Sequence, residues 1–266
     1  VVEELGSGAM ANVYKVKDIG TKAIYAMKIL HPFLNESKTI VERFRRESKV
    51  IAALQHEHIV KFRDYVEEGE TFAFVMELLE ADTLEDILLD AERVPERFAI
   101  SLIMQLCDAL QYAHACSIIH RDIKPSNIFI VEGRGVVLTD FGLAKPLFGT
   151  ALTMDGAKLM GTPFYMAPEQ VTGEKTDSRT DVYQTGLLFY QLVTGRLPFA
   201  DKSTFEAITA RNKEQPSFLP QERLHISDEV IERILKATAI SPADRYQSAE
   251  EMRESVKELH HSQRSN

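Results

Sequence analysis

Cysteine is scarce in this 266-residue chain: Cys107 and Cys116 are the only two. Both fall in a stretch that reads as a helix and its exit, so a lone disulfide is not expected and reduced thiols in a cytoplasmic, cytosolic setting are. No run of about 18 uncharged apolar residues occurs, so this segment is expected to make no membrane contact. The eight histidines have no H-E-x-x-H or C-x-x-C companion, which argues against a zinc centre. Positive charge is also short, the formal net charge being -9. An acidic surface repels phosphate backbones, so no nucleic acid is expected as a partner, and any phosphate ligand must be held locally. No signal peptide precedes the strand-like opening at Val1, and the chain reads as a segment of a longer protein, for the rest of which a membrane anchor is one expectation. Internal repeats and low-complexity tracts are absent.

What is present is an ordinary globular composition, 44% hydrophobic and 27% charged, in a length that suits one large domain or two lobes around a cleft. From Val1 to Leu79 the pattern is strand-like over Asn12–Val16, Ala23–Ile29, Ile59–Val66 and Thr71–Met76. One helix interrupts it, with Ile40, Val41, Phe44, Ile51 and Leu54 at helical spacing and Ser37 as its cap. After Leu79 helices dominate: Leu84–Leu89, Glu96–Ala115, and an all-round apolar Val182–Val193 that reads as a buried central helix. Short strands over Ile128–Val131 and Val136–Thr139 are separated by Gly133-Arg134-Gly135. The expected architecture is α+β, with a sheet-rich lobe over 1–79, a helical lobe over 80–266, and a ligand crevice between them.

Four groups of residues carry chemistry. Gly6-Ser7-Gly8-Ala9-Met10-Ala11-Asn12-Val13 puts small residues at a strand-to-strand turn, where backbone N–H groups can approach phosphates. A strand rather than a helix follows and no Gly-Lys-Ser/Thr closes the loop, so it is neither a Rossmann turn nor a P-loop. Lys28 sits inside an apolar strand, Ala26-Met27-Lys28, and needs a counter-charge. Glu47 lies on the inward stripe of the first helix and can supply it; an exposed Arg43–Glu47 pair is the plainer alternative. His120-Arg121-Asp122-Ile123-Lys124-Pro125-Ser126-Asn127 concentrates polar groups in one loop, and Asp140-Phe141-Gly142 ends a strand. Asp140 and Asn127 are hard oxygen donors suited to Mg²⁺.

Taken in order, Gly6-x-Gly8-x-x-Ala11-x-Val13, Ala26-x-Lys28, Glu47, His120-Arg121-Asp122, Asn127, Asp140-Phe141-Gly142 and Ala167-Pro168-Glu169 resemble the protein kinase family over essentially the whole chain. The resemblance implies a bilobal protein kinase fold: a small antiparallel-sheet N-lobe with one main helix, and a larger helical C-lobe. It also implies ATP as phosphoryl donor, with Mg²⁺, or Mn²⁺ in its place. Residues Gly6, Ser7, Gly8, Ala9, Met10 and Val13 would cover the phosphates. Lys28, held by Glu47, would contact them, and Asn127 and Asp140 would carry the metal. Asp122 would take the proton of the acceptor hydroxyl, and Lys124 would stabilise charge on the transferred group. Val13, Ala26 and Phe129 would enclose the adenine, with Met76 at its rear and the backbone of Glu77 and Leu79 beside it.

By the same resemblance, Ile51, Phe62, His120 and Phe141 form a stacked apolar column anchored near Asp181, and Glu169 pairs with Arg245. Lys124, with Gly161-Thr162 before Pro163, resembles the serine/threonine branch, and the wording of the loops resembles bacterial members. Protein substrates with Ser/Thr hydroxyls are the expected partners. Arg121 beside Asp122 suggests that a phosphate orders the segment between Asp140 and Glu169, where Thr150, Thr153 and Thr162 are candidate acceptors, with a transient homodimer for autophosphorylation. Ala11 in place of the third glycine and Gln184-Thr185-Gly186 in place of Ser-Leu-Gly depart from the family pattern. A scaffold that keeps the fold and works by protein binding, and a kinase of small alcohols, are the competing readings.

Overall fold

The computed structural model describes residues 1–8, 11–32, 51–69, 71–91, 93–141 and 163–262, without the side chains of 163, 204–205 and 260–262. Five antiparallel strands form the first layer: β1 (Glu3–Ser7), β2 (Ala11–Lys17), β3 (Ile24–Leu30), β4 (Phe62–Glu68) and β5 (Thr71–Glu77), in the order β1-β2-β3-β5-β4. The β2–β3 register sets Val13 opposite Lys28 and Lys15 opposite Ala26, and Ala26 in turn faces Met76 of β5. One face of this sheet closes over Ala11, Ala26, Leu30, Phe72, Phe74 and Met76. The helix expected between β3 and β4, including Glu47, lies outside the described residues apart from its last turn.

The strand expected from Ile59 begins instead at Phe62, after Ile59 and Val60 have turned to another partner. Val60 donates its N–H to the Leu138 carbonyl at 3.0 Å, and Leu138 donates to His58 at 2.9 Å. These residues stitch the first sheet to a hairpin of β6 (Ile128–Val131) and β7 (Gly135–Leu138), which sits on the helical layer.

Among the described residues seven α-helices follow β5. The first two are α1 (Leu84–Asp90), capped by Thr83 with Asp86 returning the hydrogen bond, and α2 (Glu96–Ala115). They are followed by α3 (Pro168–Thr172), α4 (Ser178–Thr194), α5 (Thr204–Arg211), α6 (Asp228–Ala237) and α7 (Ala249–Ser262). α4 is buried on almost every side, as its apolar wording requires. It packs against α2 and α6, and α2 also packs against α7. The main core draws on all four, together with Ile123, Leu138 and Phe141 from the loops and hairpin above.

Gly186 lets α4 approach α6. A Cβ there would stand 2.7 Å from the Ala237 Cβ and 2.8 Å from the Thr238 Cγ2. Overpacking of this kind costs about 1–3 kcal/mol, against a helix-propensity gain of up to about 1 kcal/mol for alanine over glycine. Gly186→Ala is therefore expected to lower stability in a urea titration, and a variant as stable as the parent would show that the helices separate freely.

Candidate active site

The cleft between the two layers collects the described residues among those singled out above, drawn from β1, β2, β3, β5, β6 and the loops around Asp122 and Asp140. Lys28, from the middle of β3, places its Nζ 2.7 Å from Asp140 Oδ1, just beyond β7. Asp140 has φ +56°, in the left-handed region that a non-glycine residue seldom adopts. Desolvation works against its ionisation, but the charge and hydrogen bond of Lys28 outweigh that and hold its carboxyl below the ordinary range. Beside Lys28, the Asp140 carboxylate is thereby favoured over the neutral acid. Glu47, expected beside Lys28, lies outside the described residues, as do Ala9 and Met10.

On the helical side, Asp122 lies on the loop between α2 and a 3-10 turn over Pro125–Asn127. Its Oδ2 is 3.5 Å from Lys124 Nζ. Asn127 Nδ2 donates to the Asp122 carbonyl at 2.8 Å, which commits the amide nitrogen and leaves the amide oxygen as donor for a metal. Asn127 and Asp140 therefore offer a neutral and an anionic hard oxygen, a donor set that fits Mg²⁺.

Asp181 explains why this loop holds its shape. Fully buried at the start of α4, it accepts from the backbone N–H of His120 at 2.8 Å and of Arg121 at 2.7 Å, and from His114 Nε2 at 2.7 Å. The His120 ring donates from Nε2 to the Thr139 carbonyl at 2.8 Å and accepts at Nδ1 from the Asp122 N–H at 3.3 Å. That pairing requires the neutral ring, and burial lowers the His120 pKa in agreement. The ring lies 4.7 Å from that of Phe141, while Ile51 and Phe62 join the same apolar cluster as Phe141.

The apolar slot is formed by residues of one cluster, in which Ala26 and Met76 are buried and against which Val13, Leu79 and Phe129 pack. The Glu77 N–H is spent on the Lys61 carbonyl at 2.9 Å. Its side chain accepts from the Lys61 N–H at 2.8 Å and from Arg134 Nη1 at 2.7 Å. At the mouth, Gly6 and Ser7 end β1, and Gly8 donates to the Ala11 carbonyl at 2.9 Å while its own carbonyl meets His31 Nε2 at 2.8 Å.

Below the cleft, Glu169 and Arg245 form the expected buried pair, with bonds of 2.9 and 2.8 Å. Arg121 Nε donates to Thr176 Oγ1 at 3.2 Å, and the candidate acceptors Thr150, Thr153 and Thr162 lie outside the described residues. Sequence reasoning missed two residues of this region, Arg134 and Gln170, and left Gln184 unexplained. Arg134 braces Glu77 and the Ile59 carbonyl, the latter at 2.7 Å, from what reads as a plain turn.

Among the described residues no helix is long and apolar enough to cross a membrane. A sequence model of the protein kinase domain matches residues 1–257. The chain is 36% identical over 264 residues to the serine/threonine-protein kinase PknB of Mycobacterium leprae, covering 97% of this chain and 42% of that protein. It is 34% identical over 258 residues to the serine/threonine-protein kinase PrkC of Bacillus subtilis, covering 97% of this chain and 40% of that protein. The chain thus spans less than half the length of these curated relatives. The crystal structure of the PknI kinase domain of Mycobacterium tuberculosis matches with a TM-score of 0.74 at 27% identity, covering 97% of this chain and 94% of that one. Cleft, sheet order and sequence agree: this chain belongs to the protein kinase domain family, whose members act with ATP and a divalent metal.

Proposed function

We propose that this chain transfers the γ-phosphoryl group of ATP to serine and threonine hydroxyls of protein substrates in signalling. The observation that carries the reading is the set of groups converging from opposite layers: Lys28 on Asp140 across the cleft, and Asp122 joined to Asn127 below it. Adenine occupies the slot of Val13, Ala26, Met76, Leu79 and Phe129, with its edge at the Glu77 carbonyl. Gly6, Ser7 and Gly8 cover the phosphates, and Lys28 binds them. Asn127 and Asp140 hold Mg²⁺, which supplies neutralisation of phosphate charge.

Asp122 orients the acceptor hydroxyl and takes its proton as that oxygen bonds to the γ-phosphorus. The bond from this phosphorus to the bridging β-oxygen breaks, and ADP leaves with the electron pair. Lys124, beside Asp122, meets the charge on the transferred group. Such a reaction needs positioning and charge neutralisation more than covalent help, which suits a site built from braced loops.

Residues 1–79 form the nucleotide-binding lobe in this reading, and 80–266 the lobe that carries the acceptor. A cytosolic location agrees with two free thiols, of which Cys107 is buried and pushed up to about 12. The test is transfer of labelled γ-phosphate, with Mg²⁺, to a basic protein and to small alcohols in parallel. Label on serine and threonine of the protein supports the proposal; ATP binding without transfer to either sinks it in favour of a scaffold.

A further inference from the structure

We infer that Gln184 and Gln170 are positioning residues for the transfer step: their side-chain amides hold the peptide groups on both sides of Asp122 and tie them to the segment before α3. This rests on reading Asp122 as the base. Gln184 is 1% exposed on a helix that is otherwise buried largely by apolar contacts. A buried amide is costly unless its oxygen and nitrogen are both engaged.

Here they are engaged with the catalytic loop. Gln184 Oε1 accepts from the Ile123 N–H at 2.9 Å. Its Nε2 donates to the Arg121 carbonyl at 3.2 Å and to Gln170 Oε1 at 2.9 Å. Gln170 Nε2 donates to the same Arg121 carbonyl at 3.0 Å, and Gln170 Oε1 also accepts from the Ala167 N–H at 2.9 Å. Turning the Gln184 amide over would set its oxygen against two oxygens and its N–H against the Ile123 N–H, so one orientation is dictated.

The network explains a strained residue. Arg121 has φ +63°, and such a conformation persists only where its surroundings over-determine it. Asp181 holds the Arg121 N–H; the two glutamines hold its carbonyl. Without the amides, Arg121 can relax toward negative φ and carry the Asp122 carboxylate away from the acceptor. Ala167 is the N-cap of α3, so the same amides tie the start of that helix to the base. Lys28, Asp140 and the glycine-rich turn stand on other elements, so nucleotide binding measured without a divalent metal, where Asn127 plays no part, should not respond.

The experiment compares the chain with Gln184→Met, Gln170→Met and the double variant, since methionine keeps the shape and loses the hydrogen bonds. A misplacement of about 1 Å can cost about a hundredfold, so kcat for a peptide acceptor is expected to fall by about tenfold to a hundredfold. Affinity for a fluorescent ATP analogue, measured without a divalent metal, should stay at the parental value, and amide exchange of a peptide spanning 118–127 should speed up. The double variant should be little worse than the worse single variant, because the amides act as one unit. Parental kcat and parental exchange in Gln184→Met would overturn the inference, as would ATP affinity falling in step with kcat. If Gln184→Met does not fold, the same readouts on Gln170→Met, nearer the surface, decide the matter. If the parent transfers no phosphate, the proposed function fails and exchange alone decides the pair: lost protection at 118–127 supports it, and parental protection overturns it.

Discussion

Replacing Asp122 with asparagine is expected to abolish most turnover while leaving ATP affinity and thermal stability at parental values. The side chain is mostly buried, and asparagine fills the same volume. The clamps on this residue engage its main chain, through His120 Nδ1 at the N–H and Asn127 Nδ2 at the carbonyl, so the loop keeps its shape. What is lost is the ability to take a proton. General-base catalysis contributes about a hundredfold to ten-thousandfold, and kcat should fall within that range.

The measurement is steady-state transfer to a peptide with the ATP analogue titrated in parallel. A variant that keeps more than a tenth of the parental kcat would show that the acceptor hydroxyl loses its proton late or to water. Asp122 would then be an orienting group, and positioning would carry nearly all of the effect. A fall in ATP affinity matching the fall in kcat would instead place Asp122 in the nucleotide subsite, against the geometry in which Lys28 and Asp140 hold that place.

Much of this arrangement is legible in the sequence. The helical stripe over Glu96–Ala115 and the strand Ile128–Val131 appear at those bounds, because a one-sided apolar period and a short β-branched run between turns are local signals. The start of β4 was not legible. Ile59 and Val60 are as apolar as any strand residues, and only the distant Leu138 shows why they leave the sheet. The motif residues could be placed in order, yet what braces them could not. Arg134 reads as a turn residue until its guanidinium is seen reaching Glu77 and the carbonyls of Glu57 and Ile59. Gln184 left one trace, a long polar side chain on a helix with no exposed face. Its meaning depends on the register of α4 against the catalytic loop, which no local pattern encodes.

The largest expected stability effect lies far from the reacting atoms, at Arg245. Its side chain is fully buried, and that of its partner Glu169 is 4% exposed. All five N–H donors are used: Nη1 and Nη2 on Glu169, Nε on the Ala239 carbonyl, and the remaining two on the carbonyls of Arg179 and Ile240. Arg245→Met fills similar space but strands a carboxylate and three carbonyls, and removing one partner of a buried pair costs about 3–5 kcal/mol. The acid dependence should also change sign. In the parent, burial raises the Glu169 pKa, but Arg245 and the Thr180 hydroxyl outweigh it, so the folded value lies below the unfolded one. That stabilisation is present above the unfolded pKa and is lost as pH falls through the folded value. Without Arg245 burial prevails, the folded pKa rises above the unfolded one, and the stability contributed by this group declines as pH rises through the acid range. Urea titrations of both proteins across that range should therefore converge toward acid, with the variant least impaired at the lowest pH at which both still fold. A parallel pair of curves would show that Glu169 responds to pH alike with and without Arg245, so that the guanidinium does not set its ionisation.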